Sequence, residues 1–279
     1  MKTIVVSGAT SGIGLSVVKG LMKNNEFIIA LGRNKEACQK ARLMVDPDNN
    51  YYNLIYLPAD LASLEDIKEV SNQIKEITNN KGIDVLINNA ATVPKWYLTT
   101  KEGYEMQFAV NHLAGFYLMQ LLLPDLMTKQ GTIITTSSRS HRLSRLNFKD
   151  LMLTKNYHIL RGYKRSKLCN VLTTYEFNRR YQRDNLIAYA IDPGLVNTNI
   201  GAKKTSGLIQ WFWQTRAKKG KMPDEIAPFY LDLIYKDKDY TAPYYYKYGK
   251  KLSPSKYSQN INHARRLWEE SLSLIGGVK

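Results

Sequence analysis

Tyr163 and Lys167, in the stretch GYKRSK, stand four positions apart and share one face if the segment is helical. A phenol ordinarily titrates at about 10, and an ammonium one turn away favours the phenolate, each unit of lowering being worth about 1.4 kcal/mol. Such a pair would give and take a proton reversibly near neutral pH. Spacing alone does not select it. With 19 Tyr and 27 Lys in 279 residues, random placement gives about two Tyr-x-x-x-Lys matches, and three occur: Tyr97/Lys101, Tyr163/Lys167 and Tyr246/Lys250. Partners must distinguish them, and partners depend on the elements that carry each residue.

Apolar, β-branched runs alternate with helical patterns along most of the chain. TIVVSG, FIIALG, NLIYLPAD, DVLINNAA, GTIITTSS and NLIAYAIDPG read as strands, and 12–23, 34–44, 63–78, 102–123 and 163–183 read as helices. Continuous apolar strands separated by helices predict an α/β fold, a Rossmann-type doubly wound parallel sheet with helices on both faces. No Pro-, Ser- or Gly-rich linker and no internal repeat interrupts it, so residues 1–279 are expected to form one domain. The last eighty residues are less regular: an aromatic stretch LIQWFWQ, a helix from Asp224 to Tyr235, a strand in PYYYKYG and a helix around NHARRLWEESLSLIG.

After the first strand comes SGATSGIG, with glycines at 8, 12 and 14. A tight turn into a helix N-terminus presents free N–H groups and the positive end of the helix dipole, which suits a pyrophosphate. About twenty residues on, a cofactor with a free ribose 2′-hydroxyl would want a carboxylate; Gly32 and Arg33 stand there instead. A guanidinium can bind a 2′-phosphate, so NADP(H) is the expected cofactor. Ser138 ends the fifth strand segment, where open α/β sheets place ligands, and its hydroxyl can donate to a developing alkoxide. Asn111 lies within a predicted helix, a position where an amide either faces solvent or holds a buried network.

Taken together, SGATSGIG, NNAA at 88–91, the Tyr163/Lys167 pair and DPGLVNT at 192–198 resemble the short-chain dehydrogenase/reductase family over essentially the whole chain. Ser7 stands where threonine is commoner and Ala91 where glycine is. NHLAGFYL, SSRSH, the insertion before Tyr163 and LSPSKY with ARRLWEES resemble the retinol dehydrogenase-like branch. The resemblance implies a catalytic set of Asn111, Ser138, Tyr163 and Lys167, with Asn111 holding a water near Lys167. It implies cofactor contacts from Gly8, Ser11, Gly12, Ile13, Gly14, Arg33, Asp60, Leu61, Asn88, Ala90, Tyr163, Lys167, Pro193, Gly194, Val196 and Thr198. Asp60 and Leu61 would flank the adenine, and the 192–198 segment would lie along the nicotinamide.

Several other classes find little support. The formal charge of +16 suits a nucleic-acid surface, an anionic membrane or an anionic small ligand, but no zinc-finger spacing or RNP-like aromatic motif accompanies it, and a solvated basic face is expected. No apolar run reaches the length of a membrane span, no secretory signal pattern opens the chain, and two cysteines are too few for a disulfide framework; a cytoplasmic protein is expected. Four histidines lack metal-ligand spacing. His141 reads as a pocket rim or loop residue and Cys169 as facing the core. The expected activity is NADP(H)-dependent interconversion of a carbonyl and an alcohol; the alternative is a non-catalytic NADP-binding sensor or scaffold. Specificity is expected in loops 139–162 and 201–222, where Leu208, Ile209, Trp211, Phe212 and Trp213 suggest an apolar substrate, a lid or a homo-oligomer contact.

Overall fold

The computed structural model describes residues 1–197 and 220–276. Eight strands form one sheet: β1 (Thr3–Ser7), β2 (Phe27–Gly32), β3 (Leu54–Pro58), β4 (Val85–Asn88), β5 (Thr132–Thr136), β6 (Ile187–Asp192), β7 (Tyr245–Lys247) and β8 (Lys250–Lys251). Their order is β3-β2-β1-β4-β5-β6-β7-β8, parallel throughout except for the β7–β8 hairpin. The sheet order reverses between β1 and β4, so the carboxyl ends of these strands open a crevice, the place where such sheets bind ligands.

Alternation along each strand feeds two cores. Val5, Ile29, Leu86 and Ile133 face one side; Ile4, Val6, Ile28, Ile87 and Ile134 face the other. The first core is closed by α3 (Leu64–Thr78), α5 (Ala114–Leu121), α7 (Ile159–Tyr181) and the last helix, α9 (Ile261–Leu274). The second is closed by α1 (Gly12–Lys23) and α8 (Pro223–Tyr235). Each fully buried Leu, Ile or Val contributes about 1.5–3 kcal/mol. The remaining helices are α2 (Lys35–Val45), α4 (Met106–Phe108) and α6 (Leu123–Thr128). Among the described residues, no helix is long and apolar enough to cross a membrane.

Two helix boundaries depart from the sequence reading. The helix expected over 102–123 begins at Met106, because both Glu105 carboxylate oxygens accept first-turn N–H groups, from Gln107 and Phe108. It is also interrupted by a π turn over Ala109–Leu113, which carries Asn111. The helix expected from 163 begins at Ile159, where the His158 ring accepts the Leu160 N–H at 3.2 Å. Tyr163 therefore sits one turn inside α7. The expected aromatic stretch LIQWFWQ lies outside the described residues.

Candidate active site

The glycine loop is packed directly onto the end of β4. A Cβ on Gly8, whose φ is +66°, would lie 2.7 Å from Ala90 Cα, and one on Gly14 would lie 2.2 Å from the Gly8 carbonyl oxygen. Ser7 Oγ accepts the N–H groups of Asn89 and Ala90 at 3.0 and 3.2 Å, and Asn89 Nδ2 donates to the Ser7 and Gly8 carbonyls at 3.3 Å. At the start of α1, Ser11 makes no side-chain cap, and the first-turn N–H groups of Gly12, Ile13 and Gly14 have no side-chain acceptor among the described residues. An uncapped helix end behind a glycine cradle fits the pyrophosphate of a dinucleotide.

The other expected cofactor contacts line the same crevice edge. Arg33 follows β2, is exposed and forms no ion pair among the described residues. Asp60 and Leu61 follow β3, where the Ala59 N–H donates to the Gly32 carbonyl at 2.7 Å and Asp60 Oδ1 accepts the Ala62 N–H at 3.0 Å. Asn88 Nδ2 donates to the Gly115 carbonyl at 3.0 Å, while its buried Oδ1 has no partner among the described residues, an acceptor suited to a bound ligand's donor. Pro193 and Gly194 follow β6, with the Gly194 N–H held by Asp192 Oδ1 at 2.9 Å; Val196 bridges to Lys221. Thr198 and the 198–219 segment lie outside the described residues.

At the reactive end, Lys167 is 2% exposed and its Nζ donates to the Thr136 carbonyl at 3.0 Å. The same Nζ is 5.8 Å from the centre of the Tyr163 ring. Burial pushes its pKa down to about 8, so the ammonium remains the major form at neutral pH. Ser138 lies two residues past Thr136 and begins a short 3-10 turn, Arg139–Leu143; its Oγ accepts the Ser140 N–H at 3.3 Å, leaving its own O–H to donate. Asn111 is latched to the loop after β4: Oδ1 accepts the Thr92 N–H at 2.7 Å, and Nδ2 donates to the Thr92 carbonyl and Ser166 Oγ at 3.1 Å.

Two residues absent from the sequence reading join these parts. Asn170 Nδ2 donates to the backbone carbonyls of Asn111 and Thr136, both at 3.0 Å. Thr136 therefore accepts from Lys167 and Asn170 together, and its hydroxyl meets Tyr230 Oη at 2.8 Å. The available signal was position: Asn170 lies three residues after Lys167 on the same helical face, and Thr136 ends the strand run before the serines. The other two Tyr-x-x-x-Lys pairs find different settings. Tyr97 packs edge-on against Tyr157, and Tyr246 is buried in β7.

His141 lies on the 3-10 turn after β5, in keeping with the loop half of the expectation. It is fully buried rather than on a rim: its Nδ1–H donates to the Ser138 carbonyl at 2.7 Å, Nε2 accepts the Ser255 N–H at 3.1 Å, and Tyr245 packs edge-on against it. With both nitrogens occupied and the ring desolvated, its pKa is lowered and the neutral form persists. Cys169 faces the core as expected, its thiol pushed up to about 12 by burial. No group of three or more metal-binding side chains occurs among the described residues.

Residues 2–208 match the short chain dehydrogenase family. Human retinol dehydrogenase 13 is 34% identical over 99% of this chain and 85% of its own length; mouse retinol dehydrogenase 14 is 29% identical over 100% and 87%. Among solved structures, an uncharacterised protein from Mycobacterium paratuberculosis superposes with a TM-score of 0.75 at 25% identity, covering 99% of this chain and 94% of that one. A carbonyl reductase from chicken fatty liver superposes at 0.69 with 22% identity over 91% and 99%.

Proposed function

The chain belongs to the short-chain dehydrogenase family, in its retinol dehydrogenase-like branch, and on that premise we propose that residues 1–279 act as one NADP(H)-dependent oxidoreductase domain interconverting an apolar aldehyde or ketone and its alcohol. When bound, the nicotinamide cofactor supplies or accepts the hydride. The chain's own part is to move a proton and to steady charge. Tyr163 donates its phenolic proton to the carbonyl oxygen in reduction and takes it back in oxidation. Lys167 keeps a positive charge beside the phenol, stabilising the phenolate left behind, and would hold the cofactor's ribose. Ser138 donates its O–H to the same substrate oxygen as negative charge develops. Thr136, Asn170 and Asn111 hold Lys167 and the helix turn facing it in register.

The observation that carries this reading is the buried Lys167 ammonium, held by the Thr136 carbonyl and 5.8 Å from the Tyr163 ring centre. A solvated lysine would have its field screened; this one does not. Arg33, exposed and free of ion pairs among the described residues, supports a 2′-phosphorylated cofactor. Leu143 and Leu195, exposed on the loops after β5 and β6, support an apolar substrate.

The test is NADPH oxidation against a panel of aldehydes, ketones and quinones, with Tyr163→Phe as control. Turnover should fall by about 10³-fold or more in the variant while NADPH binding persists. A variant that turns over at the parent rate would overturn the assignment of Tyr163.

A further inference from the structure

The insertion between β5 and α7 lines a partly open pocket, of about 500 Å³, that shares no lining residue with the glycine loop or the Lys167 site. Arg165 forms part of its wall. It follows Tyr163 by two residues and so faces roughly 200° round α7 from it. Five cations line the cavity, Arg145, Lys149, Lys155, Arg161 and Arg165, against one carboxylate, Asp150.

That carboxylate is already committed. Asp150 Oδ1 accepts the Thr154 N–H and hydroxyl at 2.8 and 2.9 Å, and Oδ2 accepts the Lys155 N–H at 3.2 Å. The only other acid between 139 and 183 is Glu176, which is held by Arg179 and Arg180. Arg145, Lys149, Lys155 and Arg161 form no ion pair among the described residues. Arg165 is 2% exposed. Its Nη1 donates to the Asp150 carbonyl at 3.1 Å; among the described residues its Nε and Nη2 make no hydrogen bond, and Glu105, 3.8 Å from Nη2, is the one carboxylate paired with it.

Five cations against one carboxylate leave this wall net positive, which a bound anion would offset. A volume of about 500 Å³ lies within the range of small-molecule sites, and arginines and lysines placed around it suit the several oxygens of a phosphate group. We propose that this cavity binds a phosphate-bearing ligand, a phosphomonoester or diphosphate, separately from the dinucleotide crevice.

Inorganic pyrophosphate titrated calorimetrically into the full chain, with NADPH saturating so that the glycine loop is occupied, is the first measurement. Binding should weaken at least about tenfold in Arg145→Ser/Lys149→Ser/Lys155→Ser, three exposed side chains whose loss leaves the melting temperature unchanged. The control Lys40→Ser/Lys68→Ser/Lys256→Ser, which removes equal charge elsewhere on the surface, should bind as the parent does. Co-sedimentation with phosphatidylcholine vesicles, with and without phosphatidic acid, separates the sources. Pyrophosphate binding without vesicle recruitment assigns a soluble ligand, and recruitment by phosphatidic acid that is lost in the cavity variant assigns a lipid headgroup. Equal weakening in both triple variants, or no response of the parent to either probe, overturns the proposal.

Discussion

The imidazole of His141 donates to the Ser138 carbonyl at 2.7 Å while its other nitrogen accepts the Ser255 N–H at 3.1 Å. One buried ring, at position 141, thus ties the serine proposed to act on the substrate oxygen to a turn 114 residues beyond the ring. His141→Phe keeps the ring against Tyr245 but removes both bonds. It should lower kcat about tenfold, equivalent to ~1.4 kcal/mol, with coenzyme affinity unchanged. Steady-state kinetics beside a coenzyme titration checks this, and a parallel loss of coenzyme binding would show general disruption of the site instead.

Lys167 carries a pH signature in the coenzyme-free protein. Its folded pKa, about 8, lies below the unfolded value of about 10.4, so between these the unfolded chain holds more protons and stability rises with pH. Below pH 8 the full penalty is present. Lys167→Met should therefore be inactive yet more stable than the parent at pH 7, by on the order of 1–2 kcal/mol after loss of the Thr136 hydrogen bond. The gap should close as pH approaches 10.4. Denaturant melts across that range measure it; a variant less stable than the parent at every pH would contradict the account.

Arg33 should discriminate between coenzymes. Arg33→Ala is expected to weaken NADPH binding about tenfold or more and to change NADH binding less than about twofold. Dissociation constants from coenzyme fluorescence decide it, and equal losses for the two would remove Arg33 from any role in selecting the phosphate.

Gly14→Ala tests the contact between the glycine loop and the end of β4. The new methyl would meet the Gly8 carbonyl oxygen at 2.2 Å and Asn89 Nδ2 at 2.7 Å, so backbone must move. The protein should lose about 2 kcal/mol of stability or more, together with coenzyme affinity. An unchanged melting temperature would mean that the loop yields at little cost.

The sheet and the glycine loop at its edge were readable because apolar continuity and glycine spacing are local properties. Ile28–Leu31 and Val85–Ile87 read as strands without knowing their neighbours, and each pairs with β1 in parallel. What escaped the sequence depends on distant partners. Nothing around His141 announces Ser255, and nothing around Asn111 announces the π turn that aims its carbonyl at Asn170. The early start of α7 escaped for another reason: histidine is an uncommon N-cap, and His158 supplies a ring nitrogen where serine or aspartate would supply an oxygen.

Trp268, fully buried on α9, meets Phe116 of α5 edge-on at 5.0 Å and lies under the Arg180 guanidinium at the end of α7. Tyr104, just before α4, donates to the Leu274 carbonyl at 2.7 Å. These contacts make the packing of α7 depend on a segment late in the chain. As the chain leaves the ribosome, the helix bearing Tyr163 and Lys167 emerges with its outer flank bare, and that flank is covered only when residues about a hundred positions later arrive. The helix bearing Tyr163 and Lys167 is therefore expected to complete its packing late in folding.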